Sequence, residues 1–147
     1  MKNIISFKVA AIGWLLLFTS HVGNAQVLDT LTINASNFKS DTGKAIVHLF
    51  RKEDDIPKTP FLKVAVDIKN GKAVIPFTQL QYGEYAAILF HDGNANGKLD
   101  HKWGFPNEPM GFSNDWNLSL FSGMPTFSKL RFEFSKEKMN CQIELRK

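Results

Sequence analysis

Residues 63–77 constrain the fold more than any other stretch, because they sort onto two faces about one dipeptide, Asn70-Gly71. Asn and Gly tolerate the positive φ that a two-residue type I′ turn requires at both central positions. A hairpin about that turn pairs Lys69 with Lys72, Ile68 with Ala73, Val66 with Ile75 and Val64 with Phe77. Alternate pairs share a face. Val64, Val66, Ile68, Ala73, Ile75 and Phe77 therefore collect on one side, and Lys63, Asp67, Lys69 and Lys72 on the other. A slip of one residue would destroy that sorting, so turn and register support each other. Pro76 has no N–H for a ladder, which predicts that its strand ends there or lies at an edge.

The same period-two signal recurs along the chain. Leu31, Ile33 and Ala35 alternate with polar neighbours, as do Leu130, Phe132 and Phe134, and again Cys141, Ile143 and Leu145. Residues 44–51 and 84–91 are apolar on both faces, which places them inside a sheet. Residues 41–43 read as a turn, residues 52–60, charged and with two prolines, as a loop, and residues 135–140 as a loose hairpin loop. Seven strands with almost no helix bury their apolar faces by stacking two sheets. The expected fold is an all-β, antiparallel β-sandwich of about seven strands, Ig-like or transthyretin-like (prealbumin-like), with one long ordered loop. A small closed barrel is the alternative.

Residues 1–25 read as a cleaved secretory signal peptide. Lys2 and Lys8 form a positive start, and residues 9–18 are an uninterrupted apolar run of ten. That run is shorter than the ~20 residues a transmembrane helix needs. Gly23 and Ala25 supply the small residues of a cleavage site. The mature chain, 26–147, is then a single domain in the periplasm or secreted, with no membrane span. The leader takes two lysines and no acid, so the formal charge of +4 becomes +2. No basic stripe interleaved with aromatics remains, which argues against a nucleic-acid partner. The lone Cys141 excludes an internal disulfide and a thiolate-rich zinc site, and reads as a small buried hydrophobe on the last strand.

The strand pattern stops for residues 92–126. Long irregular connections in small domains are usually functional or disordered. This one carries Trp103, Phe105, Phe112, Trp116 and Phe121, which favour burial or a ligand. Of these, Trp103, Phe105, Phe112 and Trp116 are the candidate ligand surface, for a protein or a carbohydrate. Alternatively, they form a second small core beneath the loop. The connection opens with Asp92-Gly-Asn94-Ala-Asn96-Gly97-Lys98-Leu99-Asp100. That spacing matches the first nine positions of an EF-hand-type calcium loop: oxygens at 1, 3, 5 and 9, a carbonyl at 7 (Lys98) and a glycine at the bend. Position 12, normally a bidentate Glu, is Trp103, so Glu108 or Asp115 would have to fold back to complete the shell. The candidate Ca²⁺ ligands are Asp92, Asn94, Asn96, Lys98, Asp100 and Glu108. A metal-free turn, in which Asn and Asp bond their own backbone, accounts for the same residues.

Catalytic signatures are missing: there is no H-E-x-x-H, G-x-S-x-G, P-loop or dinucleotide fingerprint. A hydrolase would have to use His91, Asp92, Asp100, His101, Glu108 and Asp115 as acids and bases, with Ser113 or Ser122 as nominal nucleophiles. His48 lies within a strand and reads as a core or interface histidine.

At these residues the chain resembles a known family. Tyr82-Gly83-Glu84-Tyr85-Ala86 leads into 91–100, followed by Gly104-Phe105-Pro106-Asn107-Glu108, Gly111-Phe112-Ser113-Asn114 and Pro125-Thr126-Phe127. This combination is similar to the exported bacterial family of domain of unknown function 2141, over nearly all of the mature chain. The resemblance implies an exported β-sandwich and supplies no catalytic residues. The expected function is an exported, non-catalytic binding module. A small periplasmic hydrolase and a structural or assembly domain are the alternatives.

Overall fold

Asn70 and Gly71 turn the chain as expected in the computed structural model, which describes residues 27–119 and 121–146; the leader at 1–25 lies outside the described residues. Their φ values are 52° and 68°, and Lys69 and Lys72 exchange backbone hydrogen bonds of 2.8 and 3.1 Å. The expected pairing then stops. Beyond the turn, β3 (Leu62–Val66) pairs with β2 (Lys44–Phe50), placing Val66 opposite Ala45. The other arm, β4 (Ala73–Gln81), pairs with β1 (Leu28–Ser36), placing Ile75 opposite Ile33. The face assignment survives: Ile68, Ala73, Ile75 and Phe77 are buried, and Val64 and Val66 pack against them. A lone ribbon would bury that face against nothing. Splitting it lets each arm complete a separate sheet and meet the other arm across a shared core. Pro76 lies within β4 instead of ending it, and β4 is an edge strand, where a mid-strand proline is tolerated.

The remaining elements are β5 (Gly83–Asp92), β6 (His101–Lys102), β7 (Phe105–Pro106), β8 (Met110–Phe112), a single helical turn α1 (Phe127–Leu130), β9 (Phe132–Phe134) and β10 (Asn140–Glu144). One sheet has the order β10-β1-β4; the other has the order β3-β2-β5-β8, with β9 also paired to β5. Among the described residues eight strands build these two sheets, against the seven or so expected, and β6–β7 is a separate two-stranded ribbon. The molecule is all-β.

Two further expectations are corrected. Ser135 and Lys138 do form a tight turn, but β9 pairs with β5 and β10 with β1, so 129–134 and 141–146 are not a hairpin. The chain crosses between sheets at that turn, and β10 arrives parallel to β1, with Ile33 opposite Cys141. The sheets are thus not wholly antiparallel. Second, the connection from 92 to 126 is not strandless, since β8 pairs with β5. Three residues around Gly111 are too few for alternation to show.

The strands read as apolar on both faces, β2 and β5, are neighbours inside their sheet. Ala45, Val47, Leu49, Tyr85, Ala87 and Leu89 face the main core with Leu31, Ile33, Ile75, Phe77, Cys141 and Ile143 of the first sheet. Phe50, Ala86 and Ile88 face outward into a second cluster with Phe112 and Leu130, against which Met110, Trp116 and Phe127 pack. The long connection covers the outer face of β5, and so positions the site.

Candidate functional site: an Asx-rich loop beside an apolar cleft

The loop starts where β5 ends. Asp92, the last residue of β5, pairs with Lys44 at the start of β2. Gly43 just before it has φ +83°, and a Cβ there would stand 2.1 Å from the Asp92 carbonyl oxygen, so only glycine fits. His91 points away from the loop's oxygens: its Nε2 lies 2.7 Å from the Thr42 carbonyl, and its ring meets Phe38 edge-on. Its role here is packing.

Asp92 is fully buried, and its two oxygens organise the curl. Oδ1 accepts the Asn96 N–H at 3.1 Å and Oδ2 the Gly97 N–H at 2.7 Å. Asn94 Oδ1 also accepts from Asn96 N–H, and Asn96 Oδ1 from Lys98 N–H. The amide nitrogens of Asn94 and Asn96 donate to the two oxygens of Asp100 at 2.8 and 3.0 Å. Positive φ at Ala95 and Gly97 closes the ring. The spacing read from the sequence therefore brings Asp92, Asn94, Asn96 and Asp100 together, in the hydrogen-bonded form of an Asx turn. Among the described residues, no three His, Cys, Asp or Glu side chains are grouped as a ready-made metal cage.

Glu108 folds back onto this loop. Its Oε1 accepts the Gly93 N–H and its Oε2 the Asp100 N–H, each at 3.3 Å. Burial, together with the negative charges of Asp92 and Asp100, raises its pKa against the lowering effect of those two N–H donors. Trp103, which holds the twelfth position, is directed elsewhere. It sits with Gly104 at the tip of the β6–β7 ribbon, both at positive φ, and is 89% exposed. Asp115 lies in the turn Ser113–Asp115 and makes no hydrogen bond to the loop among the described residues.

Next to the loop is a cleft of about 680 Å³. Ile88, Met110 and Phe112 line it from the sheet side; Leu99, Phe105, Leu118 and Met124 line it from the connection. His101, Glu108 and Arg146 contribute its ionisable groups. Of the four aromatics expected to form a ligand surface, Phe105 and Phe112 line the cleft. Trp116 instead packs edge-on against Phe112 at 4.8 Å in the second core, and Trp103 is not among the lining residues. The sequence reading missed Ile88, Met110, Leu118, Met124 and Arg146. Only β8, hidden in Met110-Gly111-Phe112, could have signalled part of that wall.

The candidate serines have structural roles. Ser113 Oγ accepts the Ala87 N–H at 2.9 Å and donates to the Leu130 carbonyl at 2.5 Å, pinning the turn to β5 and α1. Ser122 bonds with Ser119. Neither hydroxyl has a histidine partner among the described residues.

Fold and site together define an all-β domain with an acid- and amide-rich loop flanking an apolar cleft. The model of a family of uncharacterized proteins conserved in bacteria (DUF2141) matches residues 33–142, and the chain belongs to that family. No curated protein and no solved structure matches it. Among the described residues, no helix is long and apolar enough to cross a membrane.

Proposed function

We propose that this chain is an exported, non-catalytic recognition module of the periplasm or the extracellular space. Its two sheets form an Ig-like or transthyretin-like sandwich, and its 92–100 loop binds Ca²⁺. Glu108 carries this reading, because it belongs to both parts of the site. Its carboxylate lies on the loop, where the spacing left a ligand lacking, and it also lines the cleft. Asp92, Asn94, Asn96, Asp100 and Glu108 side chains and the Lys98 carbonyl would hold the ion. They offer only oxygen donors, the set a hard cation takes. Burial, and behind it the repulsion of Asp92 and Asp100, raises the Glu108 pKa, and a divalent cation would relieve the repulsive part. Ion binding would therefore fix one wall of the cleft, which is the recognition surface.

Thermal melting of the mature domain tests the metal. A ligand of the native state at 100 times its Kd adds about 2.7 kcal/mol. Millimolar Ca²⁺ is expected to raise Tm by several degrees, chelator to reverse the rise, and Asp92→Asn to reduce it. An unchanged Tm at millimolar Ca²⁺ would overturn the metal assignment.

A hydrolase has one observation in its favour: Glu108, with its raised pKa, shares the cleft with His101. Against it, both Glu108 oxygens are engaged by backbone N–H groups and His91 is tied to Thr42.

A further inference from the structure

The cleft has a chemistry of its own, and the geometry points to a single-chain amphipathic anion as its ligand, with an apolar body against the Met- and Phe-lined wall and an acidic head at Arg146. This deepens the recognition reading above and does not depend on the metal. A volume of about 680 Å³ falls in the range of small-molecule sites, ~300–1,000 Å³. Its sheet-side wall is apolar, with Ile88 and Phe112 almost wholly covered and Met110 half-buried, whereas Phe105 and Met124 on the rim are 64% and 66% exposed. Large apolar groups held in water beside an apolar concavity mark a binding surface. Methionine at two positions, Met110 and Met124, suits a flexible chain, because unbranched thioethers repack around irregular shapes. The described tryptophans, Trp103 and Trp116, on which a sugar ring would stack best, are not among the lining residues.

The charge balance selects the head group. Glu108 is the cleft's one acid, and its oxygens are already engaged by two N–H donors. Arg146 makes no ion pair among the described residues. Its backbone is fixed beside the apolar wall by two hydrogen bonds with Met110, 2.7 and 3.2 Å. Among the described residues, Arg146 is therefore the lining residue with an uncommitted formal charge, and its guanidinium pairs best with a planar carboxylate or a similar oxyanion.

Decanoate, decanol and decyltrimethylammonium, each titrated below its micellar concentration into the folded protein, test this by calorimetry. Runs in Ca²⁺ and in chelator separate this inference from the metal assignment, which the melting experiment reads independently. Decanoate is expected to bind saturably at one site and about tenfold more tightly than decanol, the scale of one charge-assisted contact. Arg146→Gln should abolish that preference and leave decanol binding and Tm unchanged. Met124→Glu, at an exposed rim position, should weaken both ligands without unfolding the domain. Equal affinity for decanoate and decanol, a preference that survives Arg146→Gln, or no saturable binding would overturn the inference. So would sedimentation with anionic phosphatidylglycerol vesicles in the absence of decanoate binding, which would assign the rim to a membrane surface.

Discussion

His48 shows how one side chain carries its environment into the stability of the whole domain. It lies on the outer face of β2, edge-on to Phe90 at 5.3 Å and to Phe50 at 6.3 Å. Lys63 sits opposite it on β3. Burial, reinforced by the Lys63 charge, lowers its pKa from 6.5 to about 4. The unfolded chain therefore takes up a proton near pH 6.5 that the folded chain refuses until about pH 4. Stability falls wherever the unfolded state binds more protons as pH drops, so this contribution is lost from pH 6.5 downward and levels off below 4. Urea midpoints of the native chain and of His48→Gln, compared at pH 7.5, 5.5 and 4.5, isolate the effect from the carboxylates common to both. The native chain should lose more stability than the variant between pH 7.5 and 4.5. Parallel curves would sink the assignment. That His48 stands on a strand was legible in the sequence. Phe50, two residues on along the same strand, was legible with it, but Phe90 was not, because it reaches His48 only through the β2–β5 pairing.

At the scale of elements, the sequence determined faces better than partners. Alternation dictates which side of a strand is buried, and every apolar residue assigned to the inner face of 63–77 does pack in the main core. It carries no information on which strand supplies the hydrogen bonds. The Asn70-Gly71 turn was therefore correct, whereas the ladder predicted beyond it was not, and the turn at 135–138 repeats the lesson. What holds the first turn in place is a distant residue. Both oxygens of Asp41 accept from it, one from Asn70 N–H and one from Gly71 N–H, each at 2.8 Å. Asp41→Ala removes two charge-assisted bonds at an exposed position, where water replaces part of their worth. The expected loss is about 1 kcal/mol. A thermal melt should show it as a drop of several degrees with unchanged far-ultraviolet dichroism, and Asp41→Asn should recover part of it. An unaltered Tm would mean that the turn needs no such tether. The Asx loop was legible for the same reason as the turn, since its geometry is local. The cleft was not, since its walls come from β5, β8, the connection and the chain's end.

The strand β10 ties the two sheets together. β10 lies along β1, yet past its end Arg146 exchanges two hydrogen bonds with Met110 of β8 in the other sheet. Asn37 Nδ2 donates to the Leu145 carbonyl at 2.7 Å, and Leu145 N–H donates to Ser36. An edge strand held only to its own sheet would fray independently; this one must break contacts with both sheets to open. Cys141 reports on that event. Its thiol is buried in the main core, and burial, with a smaller push from Asp115, raises its pKa to about 12. Since the thiolate is the reactive form, the folded protein offers almost none at pH 8. An aromatic disulfide reagent at pH 8 should therefore leave the native chain unmodified and label it only through opening. If β10 opens only with the whole molecule, the opening free energy from labelling should equal that of global unfolding and fall with urea along the same slope. Labelling whose rate ignores urea would instead mean that β10 detaches alone. In that case Arg146 would leave the cleft during each opening, and decanoate should slow the labelling. With a globally cooperative molecule, decanoate should slow it only as far as it raises overall stability.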